Sequence, residues 1–77
     1  MSVDFKIKNS VVTTLRELEP DAFYIRVGDF RQKKRLDWSI RQRTGDPFLS
    51  KTLYGTTVRT YPSEKVHPCI ILQEATP

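Results

Sequence analysis

The stretch Phe23-Tyr24-Ile25-Arg26-Val27-Gly28-Asp29 carries the clearest strand signal in the chain. Phe23, Ile25 and Val27 alternate with Tyr24 and Arg26, the period of two that marks a strand with one buried face. The apolar set is expected to face inward and to leave Tyr24 and Arg26 together on the outer side. Gly28-Asp29 ends the strand.

Upstream, Glu19-Pro20-Asp21 reads as a turn with proline pre-set at its first corner. Residues 11–18 are ambiguous. Val11, Val12, Thr13 and Thr14 favour a strand through β-branching, whereas Thr14 and Glu17 have capping-box spacing, so the alternatives are a strand and a single helical turn. Residues 1–8 alternate Val3, Phe5 and Ile7 with Asp4, Lys6 and Lys8 and predict another strand, closed by Asn9-Ser10. This amino-terminal stretch has no apolar core of the signal-peptide kind and is expected to belong to the mature fold.

Downstream, residues 30–35 (FRQKKR) read as a hairpin loop or an exposed strand end. Leu36, Trp38 and Ile40 alternate with Asp37, Ser39 and Arg41, which places Trp38 in the core rather than on the surface. Thr44-Gly45-Asp46-Pro47 is the strongest turn signal. Residues 48–53 are indistinct, residues 57–61 have β propensity, and Pro62-Ser63 closes them. Residues 66–73 (VHPCIILQ) form the last strand; Pro68 within it predicts an edge position or a bulge. Five or six short strands and no helix beyond two turns predict an all-β chain, a small SH3-like or OB-like barrel. Residues 1–77 are read as a single domain, with 73–77 a frayed tail.

Composition sets further bounds. With 77 residues and a mean hydropathy of −0.49, the chain supports one thin core. No apolar run approaches the roughly 18–20 residues of a spanning helix, so no membrane partner is expected and the expected location is cytoplasmic. One cysteine, Cys69, excludes an internal disulfide, and one histidine, His67, excludes a multi-histidine metal site. Neither a metal nor another cofactor is expected. Cys69 and His67 face the same side of the last strand, roughly 6–7 Å apart at the backbone. Beside Ile70, Ile71 and Leu72 the cysteine reads as a small buried hydrophobe rather than a nucleophile. The three glycines are isolated, with no phosphate-cradling loop. An enzyme is not expected.

The charge is unevenly placed. The net charge is +4, yet residues 26–43 hold seven bases and two acids, a net of +5, and the remainder of the chain sums to −1. A localised basic segment attracts phosphate backbones, anionic membrane surfaces or acidic protein faces, and does not choose among them. Single-strand binders combine such cations with aromatic faces on which bases stack. The candidate contact residues are Tyr24, Arg26, Phe30, Arg31, Lys33, Lys34, Arg35, Arg41 and Arg43, with Tyr24 or Phe30 as the stacking aromatic; Tyr54 and Tyr61 lie further along. The expected partner is single-stranded nucleic acid or an acidic protein surface, and the same residues serve both. A plain solvated surface, or a structural subunit, is the competing account.

Leu18-Glu19-Pro20-Asp21-Ala22-Phe23-Tyr24 and Val66-His67-Pro68-Cys69 resemble the opening and closing strands of small SH3-like barrels among the accessory proteins of bacteriophages and prophages. The likeness covers the order of elements in about two-thirds of the chain. Asp21 stands where that pattern has glycine, which asks for a type I turn instead of type II, and the basic stretch is longer. The resemblance implies a regulator or inhibitor of a host factor. It assigns no catalytic or ligand residues.

Overall fold

The computed structural model describes residues 3–32 and 39–74. They form one antiparallel sheet of seven strands: β1 (Val3–Ile7), β2 (Thr13–Thr14), β3 (Phe23–Arg26), β4 (Arg41–Arg43), β5 (Leu49–Thr52), β6 (Thr57–Arg59) and β7 (Lys65–Glu74). A 3₁₀ turn spans Leu15–Glu17 and one short helix, α1, spans Val27–Arg31. The all-β expectation holds. The strand order is β1-β7-β3-β4-β5-β6, with β2 also paired to β7. Among the described residues β1 and β6 are not paired with each other, so the sheet is open where a closed barrel was expected. No helix of the described residues is long and apolar enough to cross a membrane.

The last strand of the sequence is the middle of the sheet. β7 pairs with β3 on one side and with β1 and β2 on the other. β1 and β2 run end to end along the same side of β7, separated by the loop 8–12. Pro68 therefore does not lie on an edge strand. Its carbonyl accepts the Lys8 N–H at 2.8 Å, so its nitrogen points the same way, into the gap between β1 and β2 where no ladder donor is required. A bulge is present in β7, but at Leu72: Asp4 pairs with Gln73 and Phe5 with Ile71. Gln73 and Glu74 are thus paired strand residues and not a frayed tail; 75–77 lie outside the described residues.

Both faces of the sheet are covered at β3. Tyr24 and Ile25 are neighbours on β3 and point to opposite faces, yet each is 0% exposed. On one face Tyr24 packs with Leu15, Val66 and Leu18. The 3₁₀ turn that brings Leu15 there is tied down by Leu15 N–H to Glu64 O and Arg16 N–H to Pro62 O, both 2.9 Å. On the other face Ile25, Ile40 and Cys69 are joined by Phe5, Ile7, Phe23, Phe30 and Leu53. The expectation that Tyr24 faces solvent is therefore overturned: alternation assumes one wet face, and here the segment 15–18 covers it.

The ambiguous residues 11–18 combine both alternatives, two strand residues followed by one 3₁₀ turn. Thr13 and Thr14 donate side-chain hydrogen bonds to Glu17, at 3.0 and 2.8 Å, and hold its carboxyl below the usual carboxylate range. Residues 27–31, expected to finish a strand and open a loop, form α1. Asp29 reaches back to Arg26, and Phe30 lands on the Ile25 cluster; that packing overrides local strand propensity. The strand expected to begin at Leu36 is described only from Arg41, with Ile40 in the core as expected. Leu36, Asp37 and Trp38 lie outside the described residues.

Two turns are set by left-handed residues. Ala22 N–H bonds to Glu19 O at 3.1 Å across Pro20-Asp21, and Asp21 has φ 70°. That is the positive φ of a type II turn, so the aspartate adopts the glycine conformation in place of the expected type I geometry. The β5–β6 hairpin closes through a three-residue loop of Leu53, Tyr54 and Gly55, with Gly55 at φ 85° supplying the left-handed residue such loops require.

Two stability measurements test this fold. Asp21→Gly should raise the unfolding free energy in urea by about 0.5–1 kcal/mol, since glycine adopts positive φ without steric cost; a lower value would contradict the assigned turn. Tyr24→Ala should cost about 3–5 kcal/mol, as large-to-small core changes of aromatics do. A surface tyrosine would cost within about 0.5 kcal/mol.

Candidate functional site

Among the described residues the expected basic surface is not one patch. Arg26 Nε donates to Asp29 Oδ2 at 2.8 Å; that contact raises the Arg26 pKa and occupies its charge within the fold. Tyr24 is fully buried. Phe30 is half-buried, packed on the Ile25 cluster with its ring edge-on to His67 at a 5.2 Å centroid distance. Arg43 is 8% exposed and Arg41 half-buried. Arg31, at the end of α1, is exposed. Lys33, Lys34 and Arg35 lie outside the described residues. The structure therefore separates the candidates, because strand pairing sends Arg41 and Arg43 to the covered face shared with Tyr24, not to the open one.

On that covered face the polar atoms form a chain. The Tyr24 hydroxyl crosses β4 and donates to Ser50 Oγ at 2.7 Å. Ser50 Oγ donates to Thr60 Oγ1 at 3.5 Å, and Thr60 Oγ1 donates to Pro47 O at 3.1 Å. Burial raises the Tyr24 pKa, an effect tempered by the Ser50 hydrogen bond and the nearby Arg41 charge.

The opposite face changes character along the sheet. Over β1, β7 and β3 it is sealed by α1 and the Ile25 cluster. Over β4–β6 it lies open. Pairing of Leu49 with Arg59, and of Lys51 with both Thr57 and Gln42, puts these residues on that same face. Leu49, Lys51, Thr57 and Arg59 are all exposed there, and neither Lys51 nor Arg59 makes an ion pair among the described residues. Among the described residues the exposed large aromatics are Phe48, Tyr54 and Tyr61, all on this hairpin or at its base, with both tyrosines more than half exposed. Residues 47–63 contain two bases and no acid. This acid-free run with interspersed aromatics was the available sequence signal, overshadowed by the denser charge at 26–43.

Turn chemistry holds the hairpin in place. Thr44 Oγ1 donates to Leu49 O at 2.8 Å, and Asp46 Oδ1 accepts the Phe48 N–H at 2.9 Å. The expected turn at 44–47 is thereby fixed by its own side chains. At the far end Thr52 Oγ1 accepts from the N–H groups of Tyr54 and Thr56, which sets Tyr54 at the hairpin tip.

Cys69 and His67 do not form a nucleophile–base pair. His67 Nδ1 lies 2.7 Å from Val11 O and donates to it, pinning the loop 8–12 to β7. The Cys69 thiol points to the His67 carbonyl at 3.8 Å, and burial pushes it up to about 11. A thiol at that value is almost wholly protonated at neutral pH. Comparison with protein-family models, curated proteins and solved structures finds no match to this chain.

The Cys69 shift gives a signed pH dependence. The unfolded thiol loses its proton near 9.0 and the folded one near 11. Between those values the unfolded chain binds fewer protons, so the cysteine's contribution to stability is full below pH 9 and falls as pH rises towards 11. Unfolding free energies of the wild type and Cys69→Ala, measured across this window, should converge or cross in that direction. Parallel curves would contradict the buried thiol.

Proposed function

We propose that the protein is a non-enzymatic, cytoplasmic binding module for single-stranded nucleic acid, and that the β5–β6 hairpin is its contact surface. The observation that carries this reading is the coincidence, within residues 47–63, of exposed Phe48, Tyr54 and Tyr61 with exposed Lys51 and Arg59 and no acidic side chain. Bases stack on aromatic faces whatever their identity, and cations follow the phosphates between them. Arg31, Lys33, Lys34 and Arg35 remain candidate phosphate contacts in this proposal on their charge alone. Tyr24 and Phe30 have no stacking role in it, since their rings are engaged in packing. The proposal keeps the small-barrel kinship, SH3-like or OB-like, as a description of how an open sheet face and its loops meet a ligand.

Binding of a labelled oligonucleotide, followed by fluorescence anisotropy over a salt series, tests this. Each neutralised phosphate should contribute a slope of about −0.7 in log K against log salt for single strands. Lys51→Ala and Arg59→Ala should each flatten the slope. Tyr54→Ala and Tyr61→Ala should weaken binding by about 1–3 kcal/mol per stacked base with the slope unchanged. Polyglutamate that binds as tightly as the oligonucleotide, with the tyrosine variants unaffected, would instead support an acidic protein partner of the kind the phage resemblance implies. No binding at low salt to DNA or RNA would refute the proposal.

A further inference from the structure

We propose that Arg41 and Arg43 form a phosphate-binding site on the covered face of the sheet. The two side chains stand two residues apart on β4 and so project to the same side, next to Tyr24 and Ser50. The Nε atoms of both are buried and have no hydrogen-bond partner. Neither guanidinium makes an ion pair among the described residues. Arg43 is 8% exposed, and its Nε is enclosed with no acceptor among the described residues. A buried guanidinium N–H left without an acceptor is costly, and folded proteins pair such groups.

The Tyr24 hydroxyl is in hydrogen-bonding reach of the Arg41 side chain, but the neighbouring hydroxyls leave both Nε atoms unpaired. Tyr24, Ser50 and Thr60 pass their protons along one chain that ends on the Pro47 carbonyl, and none of their oxygens reaches either Nε. What the site lacks is an acceptor with several oxygens and a charge near that of two guanidiniums. A phosphate monoester or inorganic phosphate at neutral pH meets both conditions, whereas one carboxylate has oxygens for a single fork. Arg41, half-buried, keeps the site in contact with solvent and is the side from which the anion would enter. The inference stands apart from the hairpin reading, because it uses the opposite face and different residues.

The wild-type protein suffices for the test. In a titration with inorganic phosphate, against sodium chloride at matched ionic strength, the Nε–Hε NMR signals of Arg41 and Arg43 should shift saturably and several-fold more than those of exposed Arg16 and Arg59. Phosphate should also raise the melting temperature, by mass action on the folded state. Arg43→Met, an apolar replacement for a buried arginine, should fold at least as stably in chloride and lose the phosphate-dependent rise. Oligonucleotides with and without a 5′-phosphate separate the sources: a response confined to the phosphorylated strand assigns the site to a strand end, and a full response to inorganic phosphate assigns it to the free anion. Absence of a saturable shift at Arg41 and Arg43, or one equal to that at Arg16 and Arg59, would overturn the proposal.

Discussion

The hydrogen bond from Tyr24 to Ser50, 2.7 Å long and fully enclosed, is the contact on which this architecture turns. It spans β4 and ties the third strand to the fifth. Its hydroxyl chain continues to Thr60 and ends on a backbone carbonyl, so each polar hydrogen of the chain has an acceptor. Buried polar groups satisfied in this way specify one packing, while a half-satisfied chain would favour none. Because the tyrosine is drawn inside, the 3₁₀ turn and Leu18 must lie over it. Because Ile25 lies on the other side, α1 must cover that face as well. A short chain thereby builds two thin hydrophobic layers about one sheet.

That two-sided burial explains what the sequence disclosed and what it hid. Alternation located β1, where Phe5 and Ile7 pack inward while Lys6 is exposed, and placed Ile40 in the core. The turn at 44–47 was legible because Thr44 and Asp46 satisfy the local backbone with their own side chains. Tyr24 was not legible, since a period of two reports which residues share a face and says nothing of what covers it. The centrality of β7 was hidden by Pro68, whose missing N–H is harmless only because β1 and β2 leave a gap opposite it. Asp21 was misread for a related reason: aspartate tolerates the left-handed region well enough for tertiary contacts, here Asp21 N–H to Arg43 O, to hold it there.

Charge counting along the chain did not distinguish Arg26, Arg41 and Arg43 from the exposed Arg31. Residues 26–43 are rich in bases, yet pairing with Asp29 engages Arg26 and sheet register turns Arg41 and Arg43 to a covered face. A density of charge along the chain is not a density on the surface. The hairpin 47–63 carries fewer bases, but Lys51 and Arg59 lie on the open face, and the same stretch exposes Phe48, Tyr54 and Tyr61. Arg41 and Arg43 become informative for the opposite reason, as arginines whose Nε atoms are enclosed without an acceptor among the described residues.

The central claim is a division of labour: the two cores and the hydroxyl chain hold the sheet, and the open hairpin meets the partner. Amide chemical-shift mapping of the wild-type protein with a single-stranded oligonucleotide tests it most directly. The account predicts that the largest changes fall on residues 48–61 and at Arg31, while the amides of Tyr24 and Ile25 stay unmoved. Changes centred on residues 23–26, or no saturable change anywhere, would contradict it.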